Sequence, residues 1–166
     1  MAWGGFAIAL LLAYLVQVGI AAVLPIQHFD AFLVLALLCG LVGPTHEARL
    51  AAWLTGLAQD LGSADALGIH AFTLGLSGLL LTWIREIGNV GVWWVRGLAA
   101  LAAAWPGQVL YLLHLHYYSS RSDGVSVWSL LLTAACTSLV AAFLATLINA
   151  LPGAMQRHRR YRALRM

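Results

Sequence analysis

The sequence predicts an all-α, polytopic membrane helix bundle with six transmembrane helices, on three observations. Of 166 residues, 62% are hydrophobic and only 9% are charged, whereas soluble domains carry about a quarter charged residues. Too little polar surface remains to cover a water-soluble globule. Six long apolar segments alternate with Gly, Pro or polar punctuation. The strict period-2 alternation of a membrane barrel is absent. In lipid every backbone N–H and C=O must bond within the protein, so apolar runs of this length become helices.

The first helix is expected over residues 5–24, stopped by Pro25. The N-terminal run lacks a basic stretch and a small-x-small cleavage site, so it reads as a retained helix. The second is expected over 27–42, stopped by Gly43-Pro44. The third covers 46–61, with Thr45 as N-cap and Glu47 in its first turn. The fourth covers 69–87, the fifth 92–118 and the sixth 125–151, before Pro152-Gly153. Pro106 is expected to kink the fifth. Helices 2 and 3 are short: about 17 residues at ~1.5 Å each span only ~25 Å of a ~30 Å hydrocarbon core. They either thin the membrane locally or sit inside a ring of longer helices. A five-span count, with this pair not fully crossing, is the alternative.

Charge orients the bundle. All nine basic residues are arginines. With six spans, Arg49, Arg85, Arg96 and five tail arginines share one side, and Arg121 alone lies on the other. Eight against one puts both termini in the cytoplasm by the positive-inside rule. The membrane domain covers residues 1–154 and a basic cytoplasmic tail covers 155–166. In the tail, Arg157, Arg159, Arg160, Arg162 and Arg165 follow a membrane helix directly, which suits anchoring at anionic lipid. A soluble nucleic-acid binder would instead spread basic residues over a folded face. Trp3, Trp83, Trp93 and Trp94 mark the inner boundary; Tyr117, Tyr118 and Trp128 mark the outer.

Apolar burial cannot drive helix association in lipid, so close approach of small residues must contribute. Ala134, Ser138, Ala142, Thr146 and Ala150 recur at every fourth position of helix 6. Ala99, Ala103 and Gly107 do so on helix 5. Gln17 and Gln108 can bond across helices.

Little in the chain suggests chemistry. Cys39 and Cys136 lie in apolar runs, and no Cys/His spacing resembles a zinc site. No cofactor or metal is expected. Ser77, in the tetrapeptide GLSG at 75–78, reads as a packing residue. The rival reading is the nucleophile of a rhomboid-like intramembrane serine protease, with His70, His114 or His116 as base. His114 and His116 are two apart, nearly opposite on a helix, and suit interfacial tips better than one metal. Asp60 is different, because a carboxylate near the end of a membrane helix is expensive unless paired or hydrated. It can accept hydrogen bonds from the first N–H groups of helix 4, present charge to a partner, or relay protons or a cation. Ser63 and Asp65 read as caps of helix 4, with Gly62 and Gly68 permitting the tight loop.

The stretch WLTGLAQDLGSADALGIHAF, residues 53–72, resembles the rod shape-determining protein MreD family. The matching residues are Gly56, Leu57, Asp60, Leu61, Ser63, Leu67 and Gly68. The likeness covers most of the chain in layout and about 20 residues in detail. Two departures are Gln27-His28-Phe29-Asp30, where many members carry Arg-Pro before an acid or amide, and Ala64 and Ala66 in place of Gly and Pro. The resemblance implies an inner-membrane scaffold of the bacterial cell-wall elongation machinery, supporting rod shape and peptidoglycan synthesis. It implies no enzymatic activity, and a layout similar to the substrate-binding subunits of energy-coupling-factor transporters. It implies MreC as direct partner, with MreB, RodA and a class B transpeptidase in the wider complex. The rival function is a small-molecule-binding subunit of a transporter, using Asp60, Asp65, His70 and Gln108 at the outer side.

Overall fold

The computed structural model describes residues 3–23, 29–63, 67–88, 90–118 and 127–150. Among them the chain is all-α, with six helices and no strand. They are α1 (Trp3–Val23), α2 (Ala31–Val42), α3 (Thr45–Gly62), α4 (Ile69–Ile87), α5 (Trp93–Tyr118) and α6 (Val127–Ala150).

Most ends obey local chemistry already visible in the sequence. Gly43-Pro44 stops α2, and Gly43 N–H closes the last turn on Cys39 O at 2.8 Å. Gly88 does the same for α4 against Ile84 O. The starts of α2 and α3 differ from expectation for a local reason, and α1 begins two residues early, at Trp3. Helix 2 begins at Ala31, not at 27, because Asp30 is its N-cap: Asp30 Oδ1 accepts from Phe32 N at 2.9 Å and Leu33 N at 3.2 Å. Thr45 is not a cap. Pro44, extended at φ −60° and ψ 143°, holds that position, and Thr45 is the first helical residue. Proline lacks an N–H and has its φ fixed, so it sits readily at a helix start. α5 runs through Pro106 as one helix.

α2 organises the bundle. It has 12 residues, about 18 Å at the α-helical rise, and ten of them are buried. It touches α1, α3, α4, α5 and α6. This short helix therefore sits inside a ring of neighbours, one of the two arrangements its length allowed. Its Phe32, Leu33, Leu37 and Leu41 form the main core with Leu74 and Leu81 of α4 and alanines of α5 and α6. α1 packs chiefly on α2 through Phe6 and Ala13 and leaves Leu11, Leu12, Leu15 and Val18 exposed.

The buried set is unusual for what it contains. Apart from α2 it is mostly alanine with Thr55, Thr73, Ser77, Thr82, Thr137 and Ser138, while large apolar side chains face outward. All of these hydroxyls but that of Ser138, which has no partner among the described residues, are tolerated because they bond back to their own helix. Thr55 donates to Ala51 O at 2.7 Å and Ser77 to Thr73 O at 2.9 Å. α5 and α6 are long and apolar enough to cross a membrane.

One end of the bundle holds the described arginines, Arg49, Arg85 and Arg96. Arg49 Nε donates to Thr82 Oγ1 at 2.9 Å, and its Nη2 lies 3.6 Å from Glu86 Oε2, tying α3 to α4. Arg96 Nε and Nη2 donate to Val90 O and Gly91 O, and Nη1 donates to Thr146 Oγ1 of α6 at 3.3 Å. The acids and amides discussed next lie at the opposite end.

Candidate functional site

The candidate site is the corner between α3 and α4, and it begins with small residues. Ala48, Ala52, Gly56 and Asp60 recur every fourth position and all are buried. That spacing keeps them on one face of the helix. Against them α4 approaches backbone to backbone. A Cβ on Gly56 would lie 2.3 Å from His70 O and 2.6 Å from Ala71 Cα; one on Gly78 would lie 2.4 Å from Ala52 Cβ. Only hydrogen fits at these two points. The first turn of α4 is thereby brought against the last turn of α3, where Asp60 stands.

Asp60 is 3% exposed, and its carboxylate is enclosed by backbone donors. Oδ1 accepts from His70 N at 2.9 Å. Oδ2 accepts from Gly68 N at 3.0 Å and Ala71 N at 2.9 Å. The first N–H groups of any helix lack an intrahelical partner, and α4 has no cap from its own side chains. Asp60 supplies the cap from the preceding helix. Its negative charge also sits at the positive end of the α4 macrodipole. Bonds of this charge-assisted kind contribute about 1.5–3 kcal/mol each. Gly68 makes the geometry possible: it adopts φ +100°, the left-handed region, and is the one described residue with positive φ.

The polar network continues across the same end. Gln59, beside Asp60, donates from Nε2 to Asp30 Oδ2 at 3.2 Å. Gln17 of α1 accepts from Ala31 N at 2.9 Å. The first three N–H groups of α2 are thus capped by Gln17 and Asp30; at the start of α4, Asp60 takes those of Gly68, His70 and Ala71. The two buried helix starts are linked through neighbouring residues of α3.

Several expected site residues take other places. Ser63 does not cap helix 4; it is the C-cap of α3, with its N–H and Oγ each 3.3 Å from Asp60 O. Asp65 lies outside the described residues, as do Arg121 and the tail arginines Arg157, Arg159, Arg160, Arg162 and Arg165. Gly62 is a helical residue and needs no unusual φ. On α6, Ala134, Ser138 and Ala142 are buried, Thr146 is partly buried and Ala150 is exposed at the helix end. On α5 the expected seam residues Ala99 and Ala103 are buried, and two glycines, Gly107 of that seam and Gly97 outside it, face different neighbours. Gly107 lies against Thr73 and Ser77 of α4, while Gly97 faces Ala142. Gln17 bonds across helices as expected; Gln108 makes no such bond among the described residues.

Sequence reasoning missed Asp30, Gln59 and the α3 ridge. The signals were present: an Asp before an apolar run, and small residues at 48, 52 and 56. Ser77 is 1% exposed beneath Gly107, with its hydroxyl committed to Thr73 O, a packing position. The His70 ring lies 5.1 Å from that of Tyr111. Among the described residues no three His, Cys, Asp or Glu side chains are grouped as metal ligands would be. No family model, curated protein or solved structure matches the chain.

Proposed function

We propose that this chain is a six-span inner-membrane scaffold of the bacterial cell-wall elongation machinery that binds MreC directly and performs no reaction itself. The observation that carries the reading is the commitment of both Asp60 oxygens to the start of α4. A carboxylate with three bonds to backbone N–H groups supports a structural role over a proton relay or a cation site. The residues on which the chain resembles the MreD family then acquire stereochemical reasons. Gly56 admits the backbone of α4, Asp60 caps it and Gly68 turns the chain into it. The resemblance and the geometry fall on the same corner.

Six crossings fit this reading. α2 is too short to span ~30 Å of hydrocarbon, but a helix enclosed by protein has no need to match the lipid. The arginine distribution in the sequence supports cytoplasmic termini, and on that reading the corner faces the periplasm. There Leu61 and Leu67 flank it, 75% and 74% exposed. These two leucines on a rigid support are the contact we assign to the periplasmic region of MreC. MreB, RodA and the transpeptidase join through the wider complex.

Co-expression with tagged MreC tests the proposal. The expected result is co-purification from membranes that weakens at least several-fold in Leu61→Glu and Leu67→Glu, with the fold of the scaffold unchanged. Failure of MreC to co-purify with the unaltered chain contradicts it. A reporter fused after Met166 should be active in the cytoplasm.

A further inference from the structure

The three described arginines are not used alike. Arg49 Nε donates to Thr82 Oγ1, and its Nη2 lies 3.6 Å from Glu86 Oε2. All three nitrogens of Arg96 donate, to Val90 O, Gly91 O and Thr146 Oγ1. Arg85 is partly buried in the last turn of α4, yet it forms no hydrogen bond or close ion pair among the described residues. Gly78, Leu81 and Thr82 are buried, and Arg85 follows them at the i, i+3, i+4, i+7 spacing of one face. The packed face of α4 thus ends in an uncommitted guanidinium.

The chain is short of anions at this end. Its six acids are mostly placed elsewhere. Asp30 and Asp60 cap helices at the opposite end, and Asp65 and Asp123 belong to the α3–α4 and α5–α6 connections. Glu47 and Glu86 remain for Arg49, Arg85 and Arg96. Glu86 also attracts Arg85, but its carboxylate lies against Arg49. The C-terminal turn of α4 favours a cation, which explains an arginine at this position. A helix dipole does not occupy the five donors of a guanidinium.

Depth narrows what can. Trp83 and Ile87 of α4 are 56% and 71% exposed, and Trp93 and Trp94 open α5 at the same end, also exposed. Indole rings collect at the headgroup level of a bilayer. The acceptors at that level are water and lipid phosphate, and only phosphate offers both a negative charge and paired oxygens to the guanidinium fork.

We propose that Arg85 anchors a phosphate-binding site at the arginine-bearing end of the bundle, filled by the headgroup of an anionic phospholipid. The inference rests on the membrane placement of the chain and not on its partner.

The test uses the full chain in micelles at about 0.5 M salt, where diffuse attraction to the tail arginines is screened. Native mass spectrometry should show phosphatidylglycerol retained in preference to phosphatidylcholine. Arg85→Gln should weaken that retention at least about 10-fold, the lower end for a hydrogen bond to a charged group. Arg85→Lys, which keeps the charge and loses the fork, should weaken it less, and Arg159→Gln in the tail should leave it unchanged. The melting temperature without added lipid should be the same in all four proteins. If Arg85→Gln fails to fold, phosphatidylglycerol photoreactive in its headgroup decides on the unaltered chain: adducts in the last turn of α4 support the site, and adducts confined to the tail overturn it. Equal retention of the two lipids, or an equal loss in Arg159→Gln and Arg85→Gln, also overturns it. Millimolar inorganic phosphate should neither stabilise the chain nor displace the lipid; if it does both, the ligand is a soluble phosphate and the lipid assignment falls. None of these readouts involves MreC, so they leave the scaffold reading untouched, whereas release of the chain from membranes by a carbonate wash would sink both.

Discussion

In the α3–α4 hairpin the helix backbones touch, while in the α5–α6 hairpin side chains hold them apart. A Cβ on Gly56 would meet the His70 backbone at 2.3 Å; one on Gly97 would meet Ala142 Cβ at 3.9 Å, an ordinary contact. The first pair is fixed at both ends, by Asp60 on the α4 amides and by Arg49 on Thr82 and Glu86. The second is tied by Arg96 to Thr146 near one end and leaves a shallow dent toward the other. Two adjacent antiparallel pairs in one small bundle thus differ in how closely they pack. One is a rigid knuckle, the other a looser seam.

The largest test of this contrast removes the cap. Asp60→Leu leaves one buried and two partly buried N–H groups without an acceptor, and loss of about 3–5 kcal/mol is expected in denaturant unfolding from mixed micelles. Asp60→Asn should fall between. From the sequence alone a structural lock predicts that asparagine is tolerated. The geometry revises that: an amide keeps one oxygen, sufficient for Gly68 and Ala71, but turns its NH₂ toward the His70 N–H. About half the leucine effect is expected.

The second test compares two glycines. Gly56→Ala forces the α3–α4 backbones apart and should lose about 2–3 kcal/mol, the scale of overpacking. Gly97→Ala, on the open pair, should be neutral or stabilising by up to about 1 kcal/mol through helix propensity. Similar destabilisation at both sites would erase the distinction between the hairpins. The smallest effect is at the turn. Gly68→Ala places a Cβ in the left-handed region, which costs about 1–2 kcal/mol, and should leave α4 otherwise intact by circular dichroism.

Much of the architecture was legible in the sequence, for identifiable reasons. Apolar composition set the helical class, and Gly-Pro at 43–44 marked an end that the structure keeps. The starts were harder. A cap is one residue at the edge of an apolar run, and the apolar pattern draws residues 27–30 into helix 2 although Asp30 is its punctuation. Asp60 drew attention because charge is rare here, and acceptance of α4 amides was one of its three readings. Its dependence on Gly56 was not visible, since that rests on how closely two helices approach. The dent between α5 and α6 was likewise hidden, because side-chain packing between helices leaves no periodic mark in either.

Amide hydrogen exchange in lipid nanodiscs tests the Asp60 cap most directly. In the unaltered protein Gly68, His70 and Ala71 should exchange slowly, although each stands where a helix has no acceptor of its own. In Asp60→Leu these three should lose protection while amides in the middle of α5 and α6 keep theirs. Rapid exchange at the three positions in the unaltered protein, or protection that survives the substitution, would contradict the account.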